Sequence, residues 1–136
     1  MFLVDTNVIS DLRRPDKAPP QLVSWAASAP VTDQYLSAMS VYELEVGVRR
    51  VERRDAALGE RLRHWLDRRV LAQFRDRILP VDGAVAARCA ALQVPDPRPE
   101  RDSFIAATAL VHRLVVVTRN VADFEPMGVE ILNPWV

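Results

Sequence analysis

Cysteine is almost missing from this chain of 136 residues. Cys89 stands alone in an alanine-rich stretch, Ala86-Ala87-Arg88-Cys89-Ala90-Ala91, and reads as a core residue of a helix. No disulfide can form within the chain, which agrees with a reducing compartment, and a cytoplasmic location is expected. Lysine is as scarce: Lys17 is the only one, so arginine carries the positive charge. Net charge is zero, so bulk charge predicts no nucleic-acid partner. No apolar run is long enough to span a membrane, so no membrane partner is expected. The chain reaches Asp5 with no basic segment and no long apolar run before it, so no signal peptide is expected either. There is no internal repeat and no low-complexity segment.

What is present is an apolar half, 49% of the residues, enough to build a core without disulfides or structural metal. The length fits a single domain over 1–136. Charge is unevenly placed. Residues 49–77 hold ten arginines against five acids, about +5, which leaves about −5 on the rest. Such asymmetry fits an acidic site on one side and a basic surface on the other; a solvated helix in an arginine-rich composition is the plainer explanation.

Phe2-Leu3-Val4 predicts a buried strand that ends at Asp5, followed by a helix from Thr6 through Leu12. A second helix is expected over about 21–29, ended by Pro30. Residues 35–37 predict a strand. Ser40 and Glu43 have the spacing of a capping box, which predicts a helix starting at Ser40. Leu58, Leu62, Trp65, Leu66, Val70 and Phe74 recur at helical intervals and predict one long amphipathic helix over 55–76. Strands are expected at 78–81, 114–117 and 129–132. Helices are expected after Asp82 and from Asp102 to His112, separated by a loop stiffened by Pro95, Pro97 and Pro99. Apolar strands alternating with helices imply an α/β fold with a central parallel sheet covered on both faces.

In open parallel sheets, ligands bind beyond the carboxyl ends of the strands. Asp5 lies at such an end, and Asn120 and Asp123 follow the 114–117 strand. Glu43 and Asp102 fall in the opening turns of helices that start near that edge. Clustered carboxylates repel and raise one another's pKa, and a cation relieves this. Oxygen donors with no histidine or cysteine nearby suit Mg²⁺ or Mn²⁺ rather than zinc. Each acid also has a structural explanation: Asp5 as a helix cap, Glu43 as the capping-box partner of Ser40, Asp102 as a dipole-favoured first-turn residue, Asp123 as a turn residue. The shared edge is what favours the functional reading.

These segments resemble one family. Met1–Ser10 with its Asp5-Thr6-Asn7, Ser37–Gly47 with Glu43, Asp102–Ala109, and Val117–Phe124 with Asn120 and Asp123 are similar, in this order, to the four motifs of PIN-domain toxins of the VapC type. Arg77-Ile78-Leu79-Pro80 and Asn133-Pro134-Trp135 are most similar to the FitB-like branch. The resemblance runs the length of the chain. It implies a three-layer α/β/α PIN fold and Mg²⁺- or Mn²⁺-dependent cleavage of RNA phosphodiesters. It implies the toxin role in a type II toxin–antitoxin system, with a cognate VapB/FitA-like antitoxin, a homodimer, and a higher complex on operator DNA. Family metal ligands carry over to Asp5 and Asp102, and Glu43 matches the third acid. Many members have aspartate where this chain has Asn120, so the fourth ligand is Asn120 or the nearby Asp123. Thr6, Asn7 and Thr118 would orient the acids, and Arg98, Arg101 and Arg119 are candidates for RNA contacts. Leu36, Val41, Tyr42 and Leu44 could supply an apolar dimer patch.

Two departures stand out. Arg101 occupies a position where relatives usually have a small residue, and the loop before it is proline-rich without the usual glycine. They leave room for another function, a weakly catalytic module that mainly binds an antitoxin. A phospho-receiver domain also gathers acids at strand ends, but it needs a lysine near the acceptor, and Lys17 sits in a proline-flanked loop.

Overall fold

Five short parallel strands form one sheet in the order β3-β2-β1-β4-β5. They are β1 (Phe2–Val4), β2 (Gln34–Ser37), β3 (Ile78–Leu79), β4 (Val115–Val117) and β5 (Ile131–Leu132). The structure is a computed structural model that describes all residues, 1–136. Successive strand side chains point to opposite faces. Val4, Leu36 and Val117 therefore enter one core, with Val8, Leu44, Leu66 and Phe74. Leu3 and Val116 enter the other, with Ile105, Ala109 and Phe124. Neither face meets water, which is why β1 and β4 are apolar throughout rather than alternating, while β2 carries the buried polar residues Gln34 and Ser37 at its two ends.

The first face is covered by α1 (Thr6–Leu12), α2 (Pro20–Ser28), α3 (Ala38–Arg54), α4 (Ala56–Trp65) and the short α5 (Leu71–Gln73). On the second face, α7 (Glu100–His112) and α8 (Val121–Phe124) pack on the sheet, and α6 (Gly83–Leu92) packs against α7 through Val85, Cys89 and Ala107. This is the expected three-layer α/β/α arrangement. No helix is long and apolar enough to cross a membrane.

Several local expectations change. Ser37, not Ser40, caps α3: its Oγ accepts from the Met39 amide at 3.0 Å. Ser40 lies inside the helix, buried, with its hydroxyl unpartnered. Glu43 is therefore two turns in and is not a capping-box residue. The helix carrying Asp102 begins two residues earlier, at Glu100. The predicted helix over 55–76 is divided. Asp55 caps α4 by accepting from the Leu58 amide at 3.1 Å, and after Trp65 the chain makes a widened π turn over Leu66–Val70 before α5. Leu66, Val70 and Phe74, each four residues apart, are all buried, and a wider turn keeps such residues more nearly in line than an α-helix does. Leu36 and Leu44 belong to the core and cannot form a dimer patch; Tyr42 is exposed and Val41 half-buried.

The α3–α4 pair is held by close approach and charge. A Cβ on Gly59 would lie 2.6 Å from the Glu52 Cα, so only glycine lets α4 sit this near α3. Arg63 of α4 reaches Glu45 at 3.0 Å and Glu52 at 3.2 Å on α3, and Asp67 at 3.3 Å. At least this arginine of the basic segment is an internal staple rather than a free cation.

Candidate active site

The strand order decides where a ligand can enter. The chain runs from β1 through β2 to β3 on one side, then returns to β4 on the other. The crevice between the carboxyl ends of β1 and β4 is thus the topological switch point. Val4 is in register with Val117, and the Asp5 amide donates to the Val117 carbonyl at 2.9 Å. Asp5 and Thr118 therefore leave the sheet side by side.

Asp5 is 3% exposed, and both oxygens of its carboxylate accept hydrogen bonds. Oδ1 caps α1 by accepting from the Thr6 amide at 2.8 Å. Oδ2 accepts from Thr118 Oγ1 at 2.7 Å and from Asn7 Nδ2 at 3.3 Å. Thr118 Oγ1 in turn accepts from Asn7 Nδ2 at 3.3 Å and from the Asn120 amide at 2.9 Å. The cap explanation for Asp5 holds, but it uses only one oxygen. Burial pushes its pKa up, the Thr118 and Thr6 bonds pull it back, and the Glu43 and Asp123 charges push it up again. Asn7 Oδ1 is buried with no partner.

Glu43 joins from α3. Its Oε1 accepts from Thr6 Oγ1 at 2.7 Å, and its Oε2 lies 4.0 Å from Arg101 Nη1. The Arg101 guanidinium rests 5.0 Å over the Tyr42 ring, so it leans across the edge of the site. Asp102, the third residue of α7, has its carboxyl pushed up to about 6 by burial and then by the charges of Asp5, Asp123 and Glu43. The helix dipole favours its charged form by only about 0.3–1 kcal/mol, so burial and repulsion win.

Asp5, Thr6, Asn7, Glu43, Asp102, Arg119 and Asn120 line one open pocket of about 320 Å³ with no hydrophobic residue in its wall. Thr118 stands behind Asp5. Asp123 is exposed on α8 and outside the lining, but its charge reaches both Asp5 and Asp102. Arg98 is not brought to the pocket; its main-chain amide donates to Gln93 Oε1 at 2.8 Å. Ser10 and Asp11 also line the pocket and were not foreseen. The signal was available: Thr6 and Ser10, and Asn7 and Asp11, are four apart and share a face of α1. Asp11 Oδ2 accepts from Trp135 Nε1 at 3.2 Å and lies 3.5 Å from Arg119 Nη1.

The donors suit a hard divalent cation: carboxylate and amide oxygens, with no thiolate or imidazole in the wall. No three acids close around a single point as they stand. Like charges this near repel, and a cation between them would relieve that repulsion. The raised pKa values of Asp5 and Asp102 and the unpartnered Asn7 oxygen indicate a site that gains from such an ion.

The same architecture recurs in known proteins. Toxin FitB of Neisseria gonorrhoeae is 38% identical over 142 residues, covering 99% of this chain and 99% of that protein. VapC ribonuclease Y4jK of Sinorhizobium fredii is 34% identical over 147 residues, covering 99% and 98%. The solved structure of FitAB bound to an IR36 DNA fragment matches with a TM-score of 0.91 at 35% identity, over 100% of this chain and 96% of that one. A family model described as the PIN domain matches residues 2–126, from β1 through α8, and so takes in every acid gathered at the switch point: the chain belongs to the PIN domain family.

Proposed function

We propose that this protein is a metal-dependent endoribonuclease and the toxin of a toxin–antitoxin pair. The observation that carries the proposal is the convergence of Asp5, Glu43 and Asp102 from three separate elements on one polar pocket at the β1/β4 crevice. Relatives named toxin and ribonuclease, similar over nearly their whole length, support the choice of RNA. Asp5, Glu43, Asp102 and the Asn120 carbonyl oxygen would hold Mg²⁺ or Mn²⁺, with Asp123 adding charge from outside the wall. Such an ion supplies Lewis-acid stabilisation of a reacting phosphate and activates water. The chain's own residues do the rest. Thr118 and Asn7 fix the Asp5 carboxylate, Thr6 fixes Glu43, a carboxylate of the cluster takes the proton of the attacking water, and Arg119 offers positive charge to the phosphate.

An apolar groove lined by Leu44, Val48, Leu62 and Trp65 runs up to Thr6 and Glu43. It suits an amphipathic antitoxin segment that would reach the acids. A homodimer and a complex on operator DNA are part of the same reading, supported by the FitAB–DNA structure. A purely binding module is not favoured, because it gives no reason for four acids to share one crevice.

The test is RNA cleavage and growth arrest by the parent and by Asp5→Asn. Loss of both in the variant, with an unchanged circular dichroism spectrum and retained antitoxin binding, is the expected result. Cleavage by Asp5→Asn at the parent's rate would end the proposal.

A further inference from the structure

Next to the acid pocket lies a second pocket of about 330 Å³, lined by Arg13, Arg14, Lys17, Arg119, Asp11 and Trp135 among others. The two share Ser10, Asp11 and Arg119, so they are neighbours across one wall. Their charges are opposite. The first holds Asp5, Asp11, Glu43 and Asp102 against Arg119; the second holds Arg13, Arg14, Lys17 and Arg119 against Asp11. Arg13, Arg14 and Lys17 are exposed and enter no ion pair, unlike Arg63 with its three carboxylate partners. The main chain holds these cations together. The Lys17 and Ala18 amides donate to the Arg14 carbonyl at 2.9 and 3.1 Å, a helical turn that places Arg14 and Lys17 three residues apart on one side. The carboxyl end of α1 accounts for a cation at Arg13, but not for Lys17 beyond it.

We propose that this basic pocket is a subsite for the RNA backbone, seating a phosphate next to the scissile one, and that Trp135 is the positioning residue that sets Arg119 between the two pockets. The inference rests on the ribonuclease reading and deepens it. A free anion would need only the basic pocket. A ligand that spans both must bring repeated phosphates along a chain, one to the acid site and the next to the cations, as a single-stranded nucleic acid does. Trp135 is built for its part. Its Nε1 donates to Asp11, its ring lies 5.5 Å beneath the Arg119 guanidinium, and its own amide donates to Asn133 Oδ1 at 3.0 Å. One side chain thus orders both charged groups on the shared wall.

The experiment uses the full chain with Asp5→Asn, which is expected to bind without cleaving, and follows the anisotropy of a short fluorescent single-stranded RNA across salt concentration. Adding Arg14→Ala and Lys17→Ala is expected to weaken binding roughly tenfold near physiological salt and to lower the slope of log K against log salt by about 0.7, the loss of one neutralised phosphate. Adding Arg61→Ala in α4 and Arg68→Ala in the π turn after it, neither of which lines either pocket, is expected to leave the slope unchanged. Trp135→Ala is expected to lower the slope by about 0.7, with Trp135→Phe recovering most of it because the ring still supports Arg119. An unchanged slope in the Arg14/Lys17 variant, an equal loss in the Arg61/Arg68 control, or no RNA binding at all overturns the subsite. A Trp135→Ala protein that loses thermal stability but keeps its slope overturns the positioning role. Failure of the active parent to cleave RNA is a separate result and strikes the ribonuclease reading instead.

Discussion

Asp102 shows most directly what the crevice does to a single residue. Its carboxyl holds a proton up to about 6 in the fold, against an ordinary value of 3.8 once unfolded. Folding therefore takes up a proton between these values. The contribution of this group to stability is fully present below pH 3.8 and is lost as pH rises through 6. At pH 7.5, without metal, the charged Asp102 opposes folding. The raw shift corresponds to about 3 kcal/mol, but the group is partly open to water, so screening leaves about 1 kcal/mol. Asp102→Asn removes the charge and nearly keeps the shape. In chelator at pH 7.5, its melting temperature is expected to exceed the parent's by roughly 3–5 °C. The gap should close toward pH 4. A variant less stable than the parent at pH 7.5 would show that repulsion and burial do not dominate there. Asp5 is raised in the same direction but is held by Thr118, Asn7 and the Thr6 amide, so its replacement also removes bonds and gives no such clean reading.

At the scale of elements, α7 carries Asp102 at one end and a strained residue at the other. Arg113, its C-cap, has φ 57° and ψ 49°, the left-handed region that favours glycine. It is exposed and makes no ion pair, so only its backbone is in demand. Arg113→Gly is expected to raise stability by about 0.5–1 kcal/mol, since relief of strain exceeds the added freedom of the unfolded glycine. A denaturant midpoint lower than the parent's would contradict this. The same scale explains what could be read from the sequence. Strands buried on both faces announce themselves by composition, so β1 and β4, and with them Asp5 and Thr118, were legible. Helix starts were less so, because Ser37 and Ser40 are both competent caps and only the end of β2 at Ser37 decides between them. The break after Trp65 was hidden because Leu58 to Phe74 keeps one apolar rhythm through a change of helix type. Asp11 is harder to read for a different reason: its partners Arg119 and Trp135 approach from the far end of the chain.

Over the whole molecule, the arginine-rich segment 49–77 runs from the end of α3 through α4 and α5 up to the start of β3, while Asp5, Glu43 and Asp102 meet at the β1/β4 crevice under the added charge of Asp123. Such a crevice is a cost to the fold that a bound cation would relieve, so on the proposed function metal binding should appear as stability before any RNA is added. A ligand that binds only the folded state stabilises it by about 2.7 kcal/mol when present at 100 times its dissociation constant. Mn²⁺ or Mg²⁺ in that excess should raise the melting temperature by roughly 8–12 °C for a domain of this size, and KCl of matched ionic strength should do little. The pH dependence has a definite sign. At pH 5 the raised carboxyl of Asp102 retains a proton that a cation must displace, and the upward shift of Asp5 works in the same direction, so the melting shift should shrink there and grow toward pH 7.5. Asp5→Asn should abolish most of it at both pH values while leaving the effect of KCl untouched. A melting curve for the parent that does not respond to millimolar Mn²⁺ at pH 7.5 would mean that the acids are spaced by something other than an absent counterion, and the metal-dependent reading would have to be given up even if the PIN fold stands.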